Sequence, residues 1–393
     1  MPQIKENFFE SILFRFESCS CDCAEDIVHI APGEEPDRQY KLQAVPAKLL
    51  VFAYAAKKGL VRIAPNGTIE ESNILGSLIS LSNKPMSEMT RFFKENGFLF
   101  PVQSGGYEKF DAVEVYYIIN RLRLTVELMT AANEIHKDYG KIVNLTLSLL
   151  FAGDVKIKTD MMEREYVTCH HPYIDILKTA DFSVSYARRQ EEFNADYYVV
   201  NDCIFGTYKL STQEYNDIKS GYSTKLGFGE PVFRSVAALY LNLDGTPMER
   251  KITDFLFHYF HEVGMVDFSN GMKYFSVPKE ENFTDKMKEV LLEIANFIVG
   301  EEINANLDGI HPVYDTKKMM PSWKVDSLLC AAYFSIFYLK PDLELYRPCD
   351  NPKCGKYFLV RTTTTKIRFC STECCNCVTQ ARYRKKKREK ESK

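Results

Sequence analysis

The feature that most constrains this chain lies near its C-terminus. Two close cysteine pairs, Cys349/Cys354 and Cys370/Cys374, enclose a spacer of 15 residues. The pattern C-x4-C and then C-x3-C is the sequence form of a four-thiolate zinc site. Zinc takes four ligands at the corners of a tetrahedron, and each short pair can clamp two corners from one tight turn. The residues between agree with that reading. Asn351 and Pro352 supply turn chemistry inside the first pair. Gly355 comes directly after the second cysteine, where a ligand turn often needs positive φ and leaves amides free to face a thiolate. Tyr357, Phe358, Ile367 and Phe369 offer a small apolar core.

The residues after the second pair extend the module. Ser371 can cap a helix that carries Cys374 in its first turns. Downstream comes Ala381-Arg-Tyr-Arg-Lys-Lys-Lys-Arg-Glu-Lys, rich in helix formers. A knuckle, a hairpin and a helix bearing the last ligand make a treble-clef layout. The segment resembles the CGNR-type zinc finger, found at the C-terminus of bacterial proteins regarded as transcription regulators. The resemblance rests on Cys349, Cys354, Gly355, Phe358, the step Phe369-Cys370-Ser371, Cys374, Asn376 and the run Ala381-Arg382-Tyr383-Arg384. It covers roughly the last 45 residues of the chain. The Gly and Arg of the signature are Cys375 and Cys377 here, and the second pair is one residue closer. The fourth ligand is assigned to Cys374, with Cys375 as its rival. The resemblance implies a bacterial DNA-binding regulator with one structural zinc ion.

Charge divides the chain. Its formal net charge is −3, but residues 347–393 hold 14 Lys or Arg against 4 acids, leaving 36 (50 − 14) against 49 (53 − 4) elsewhere. A basic end on an acidic body seeks phosphate or an acidic protein face. Arg382, Arg384, Lys385, Lys386, Lys387 and Arg388 are the candidate nucleic-acid contacts, to phosphates and, for the arginines, to base edges. The competing reading is a zinc-stabilised protein-interaction module with no nucleic-acid role. Treble-clef-like fingers with an FCSxxC half, as at Phe369 to Cys374, also occur in families that bind peptides.

No Walker loop, GxGxxG or GxSxG is present. Four thiolates leave no open position for water, so catalysis by this metal is not expected and the chain is not read as an enzyme. The polar opening Met1-Pro-Gln-Ile-Lys-Glu does not read as a secretory signal, and no apolar run is long enough to span a membrane. The expectation is a cytoplasmic protein, where thiols stay reduced.

The body, residues 1–345, reads as α+β, mainly helical, with strands in a mixed subdomain near 150–245. Residues 1–40 read as irregular, with a strand at Ile12 to Phe16. Cys19, Cys21 and Cys23 alternate as on one face of a strand, yet lack turn residues to wrap a metal. Ala47 to Lys58 and Ser87 to Asn96 read as helices ended by Gly59 and Gly97. Phe110 to Tyr139 reads as a long helix, with room for a break, stopped by Gly140. Tyr197 to Val200 reads as a strand. Thr246-Pro-Met-Glu249 is a capping box with Pro at the first helical position. Thr284 opens another helix. Ser322 is expected to cap one from Trp323 to Lys340 that leads directly into the knuckle, so that the finger is docked on the body. His258 and His261 read as a solvated helix face rather than half of a metal site. His170-His171 beside Cys169 is discounted as a nucleophile pair, because adjacency in sequence does not bring reacting atoms together.

Overall fold

The computed structural model describes residues 12–28, 39–55, 58–70, 73–101, 108–158, 164–180, 197–220, 231–242, 245–260, 266–267, 273–274, 280–316, 319–341, 343–362 and 367–391. In chain order these residues form β1 (Ile12–Val28), β2 (Gln39–Ala55), β3 (Gly59–Ile63), α1 (Ile74–Ile79), α2 (Met86–Asn96), β4 (Glu108–Asp111), α3 (Ala112–Asn133), α4 (Tyr139–Leu150), β5 (Lys156–Ile157), β6 (Tyr166–Val167) and α5 (Tyr173–Thr179). They continue as β7 (Tyr197–Asp202), β8 (Gly206–Ser211), α6 (Thr212–Ser220), α7 (Pro231–Asn242), α8 (Pro247–His258), β9 (Val266–Asp267), β10 (Lys273–Tyr274) and α9 (Asp285–Ala305). Last come β11 (Ile310–Asp315), β12 (Met320–Val325), α10 (Leu328–Phe337), β13 (Glu344–Pro348), β14 (Tyr357–Arg361) and α11 (Thr372–Glu391). Helices with small antiparallel sheets make an α+β chain. It divides into two compact units, one of Met1–Asn133, Gly153–Cys169 and Glu302–Lys393, the other of Glu134–Ala152 and His170–Glu301.

In the first unit β2 is the centre of a four-stranded antiparallel sheet, pairing with β1, β3 and β4. The expected helix at Ala47 to Lys58 is therefore a strand. Leu49 to Ala55 is an unbroken apolar run, and such a run cannot be told from a buried helix by periodicity alone. Phe52, Ala53, Tyr54 and Ala55 are all at most 3% exposed, as a strand flanked on both edges requires. The segment read as irregular is likewise a strand, since β1 runs 17 residues and carries Cys19, Cys21 and Cys23. Cys19 lies opposite Leu49 while Cys21 lies opposite Pro46. One extra residue on β2 makes a bulge there, where Pro46 has no N–H to give the ladder. Strands are thus not confined to 150–245.

The helix expected from Phe110 to Tyr139 is shorter at both ends, since Phe110 lies in β4 opposite Leu42, and a second helix begins at Tyr139. Helix α3 ends at Asn133, and Asp138 caps α4 by accepting the Lys141 N–H at 2.9 Å. Gly140 sits in the first turn of α4 and stops nothing. In the first unit α3 buries Val115, Ile118, Ile119, Leu122 and Val126. Its Arg121, 3% exposed, is neutralised by Glu302, with Nη2 2.7 Å from Oε1. Met86–Asn96 ends at Gly97, as expected, with φ 85°. Ser322 and Trp323 lie instead in β12, because β11 supplies a hairpin partner. The apolar helix begins at Leu328, and Ser327 caps it by accepting the Cys330 N–H at 3.0 Å.

In the second unit the capping box of α8 is present: Thr246 accepts from the Glu249 N–H and Glu249 from the Thr246 N–H. Helix α9 starts one residue after Thr284. Strand β7 pairs antiparallel with β8 across a tight turn at Asp202 to Gly206. Aromatic packing holds the turn's surroundings, with Tyr240 stacked on Phe257 at 3.9 Å.

Candidate metal centre and basic helix

Strand β13 delivers Cys349 to the start of a tight knuckle, and β14 carries the chain away from it. The Cys349 N–H donates to the Lys356 carbonyl at 2.9 Å, closing the loop between the strands. Inside it the Asn351 carbonyl accepts the Cys354 N–H at 2.8 Å and the Gly355 N–H at 3.2 Å. The Asn351 side chain accepts the Lys353 N–H at 3.1 Å. Gly355 adopts φ 59°, the left-handed turn anticipated from its place after the second cysteine. On the far side Ser371 Oγ accepts the Cys374 N–H at 3.3 Å and so caps α11.

These turns bring four sulfurs together. The Sγ atoms of Cys349, Cys354, Cys370 and Cys374 all lie within 4.8 Å of one another. Cys354 Sγ and Cys374 Sγ are each 3.6 Å from Cys370 Sγ. A tetrahedral ion with bonds of about 2.3 Å needs sulfur–sulfur edges of about 3.8 Å; with two edges at 3.6 Å and all of them within 4.8 Å, the set is a possible zinc site. The Cys370 N–H points at Cys349 Sγ at 3.5 Å, as amides do around thiolates. Cys349 is buried and the other three are half-buried. Cys375 and Cys377 lie outside the four-sulfur group.

Their surroundings shift three of the thiols. Burial and the neighbouring thiols push Cys370 well above the ordinary range, and burial raises Cys354. The Asn351 side chain, together with Cys370, Cys354 and Ser371, brings Cys374 down to about 7 against the effect of desolvation. Packed this closely, four sulfurs cannot all carry charge unless a cation sits among them.

The knuckle is docked on the first unit. Lys84 Nζ donates to the Cys354 carbonyl at 3.0 Å, and Ser80 Oγ accepts the Tyr357 N–H at 2.8 Å. Tyr357 donates its hydroxyl to Glu127 on α3. Gly76 of α1 sits so close that a Cβ there would be 2.6 Å from the Tyr357 carbonyl oxygen. These partners, more than 200 residues away in sequence, carry no motif that could have announced them.

Beyond Val378, α11 is exposed wherever its side chains are described. Arg382, Arg384, Lys385, Lys387 and Arg388 stand in solvent; the Lys386 side chain lies outside the described residues. Tyr383 is 69% exposed among them.

Elsewhere the structure corrects the reading of His258. It is 6% exposed rather than solvated, and its Nε2 lies 2.6 Å from Asp202 Oδ2. Asp202 comes from the β7–β8 turn, so the polar face of α8 is covered by an element whose pairing the sequence did not indicate. Tyr240 also donates to Asp202 Oδ2, at 2.7 Å, and the N–H groups of Ile204 and Phe205 donate to Oδ1. Burial alone would raise the Asp202 carboxyl, but His258 and these donors hold it at about 2. Among the described residues no group of three potential metal ligands forms around His258; His261 and Glu262 lie outside those residues. His170 Nε2 lies 2.7 Å from Asp175, and His171 Nδ1 lies 2.6 Å from Glu301.

Among the described residues no helix is long and apolar enough to cross a membrane. Comparison with known protein families, with curated proteins and with solved structures finds no match to this chain.

Proposed function

We propose that residues 346–393 form a zinc-stabilised DNA-binding module of the treble-clef kind, in a cytoplasmic regulator of the type that the CGNR resemblance implies. One observation carries this reading. The four-sulfur group grips the first turn of a helix whose next turns present Arg382, Arg384, Lys385, Lys387 and Arg388 to solvent. Zinc held by Cys349, Cys354, Cys370 and Cys374 would be structural, tying the knuckle to the helix. The chain's own residues do the rest. Ser371 fixes where the helix starts, and Lys84, Ser80 and Glu127 fix the knuckle on the body. The helix is thereby aimed from a rigid base, and its cations meet phosphates.

The test is a salt titration of duplex binding by the full zinc-loaded chain. Each neutralised phosphate adds roughly 0.9 to the log–log slope. Replacing Lys385, Lys386 and Lys387 with Gln should flatten the slope by up to about three and weaken binding to all sequences alike. Zinc should stay in place, because these positions lie beyond the ligands. Undetectable duplex binding at low salt, or a slope untouched by the triple change, would defeat the reading in favour of an acidic protein partner.

A further inference from the structure

Between the cations of α11 runs a second, uncharged surface. In an α-helix each residue turns the direction of its side chain by about 100°. Taking Tyr383 as the reference, Cys374 points about 180° away, so the knuckle clasps the back of the helix relative to Tyr383. Cys374, Cys375 and Val378 are half-buried, while Asn376, Thr379, Gln380 and Tyr383 are exposed. Those four lie within about 60° of one another's mean direction and form one uncharged stripe down the free face. Positions 386 and 387, both Lys, follow at its far end. Arg382 and Arg384 diverge by about 100° to either side of Tyr383.

This arrangement has the proportions of the DNA major groove. The groove is about 12 Å wide and a helix with its side chains about 10–12 Å across, so a seated helix has a phosphate strand on each flank and base edges beneath it. We infer that α11 seats in the major groove of duplex DNA with Asn376, Thr379, Gln380 and Tyr383 over the base edges, and with Arg382 and Arg384 on the phosphates of opposite strands. This rests on the DNA-binding reading above and assigns its specificity to the uncharged residues. The chemistry suits the assignment. Asn and Gln side chains bond the N6 and N7 positions of adenine in pairs. The Thr379 hydroxyl donates to the Cys375 carbonyl at 2.9 Å, which leaves its methyl group for a thymine methyl. Tyr383 offers a hydroxyl and a ring edge. From Asn376 to Tyr383 the axis rises about 10 Å, or about three base pairs at 3.4 Å each, so one chain reads a site of about three to four pairs rich in A·T.

Selection of bound duplexes from a random library, using the full zinc-loaded chain, tests this against Gln380→Ala and Arg384→Gln. The expected result is a short enriched motif. Gln380→Ala should relax preference at one base pair by about five- to a hundred-fold, with the salt slope unchanged. Arg384→Gln should weaken all duplexes alike and lower the slope by about 0.9. Salt-dependent binding with no motif would overturn the inference while leaving the DNA-binding reading intact. So would a motif that survives Gln380→Ala and Tyr383→Ala but shifts in Arg384→Gln. Binding only to single strands, to RNA or to an acidic protein would overturn both. Exposed Gln380 supports no packing, so Gln380→Ala should keep its fold and its zinc, and metal content is measured alongside.

Discussion

Gly76 is where the docking of the knuckle can be tested with one methyl group. A Cβ at this position would stand 2.6 Å from the Tyr357 carbonyl oxygen, whereas ordinary contact begins at 3.4 Å. The hairpin must therefore back away by 3.4 − 2.6 = 0.8 Å, because the obstacle is backbone and cannot rotate aside. The Ser80 Oγ to Tyr357 N–H bond is 2.8 Å long, and a retreat of that size carries it to about 3.6 Å, past useful hydrogen-bond length. A buried N–H left without its partner costs about 1–3 kcal/mol, and overpacking strain is of similar size. Ala in place of Gly returns about 1 kcal/mol of helix propensity. The net expectation for Gly76→Ala is a loss of about 1–5 kcal/mol, and thermal unfolding should come several degrees earlier. Gly300 is the control. It lies within α9 with nothing within 4 Å of its built Cβ, so Gly300→Ala should gain about 1 kcal/mol. The two alanines should move the melting temperature of zinc-saturated protein in opposite directions. If Gly76→Ala is neutral or stabilising, the hairpin is not seated on α1 as described.

The same geometry sets further outcomes. Cys374→Ser should lose zinc while Cys375→Ser keeps it, as measured by metal content after gel filtration; the reverse would move the fourth ligand one residue along the helix. Asp202 is held at about 2 against an ordinary 3.8, so its charge contributes stability at and above pH 4 that is lost as pH falls from about 4 to about 2. The difference amounts to about 2.5 kcal/mol, and Asp202→Asn should flatten the urea midpoint across that window. An unchanged acid profile would contradict the assignment. Glu302→Gln leaves Arg121 charged and buried, and should destabilise by about 3–5 kcal/mol in urea unfolding; a loss below about 1 kcal/mol would mean that water reaches the pair.

The parts of the molecule that were legible in sequence are those written in adjacent residues. The sulfur cluster comes from two short turns; its four cysteines, together with Gly355 and Ser371, sit within one 26-residue stretch. The capping box at Thr246 and the stop at Gly97 are local in the same sense. The rest depends on partners far along the chain. Leu49 to Ala55 would suit a buried helix or a buried strand, and only the edges of β1 and β3 decide between them. Ser322 and Ser327 are equally good caps by composition, and the pairing of β12 with β11 chooses the second. His258 looked solvated because its cover is a turn 56 residues earlier. The seat of the knuckle on Ser80, Lys84 and Glu127 is set wholly by contacts of this long-range kind.

The central claim is that four cysteines hold one zinc ion and thereby fix the basic helix. X-ray absorption at the zinc edge, on full-length protein purified without chelator, addresses it most directly. The account predicts one zinc per chain with a single shell of four sulfurs at about 2.3 Å, lost in Cys354→Ser and in Cys370→Ser. A shell containing nitrogen or oxygen ligands, or zinc retained by both variants, would contradict it.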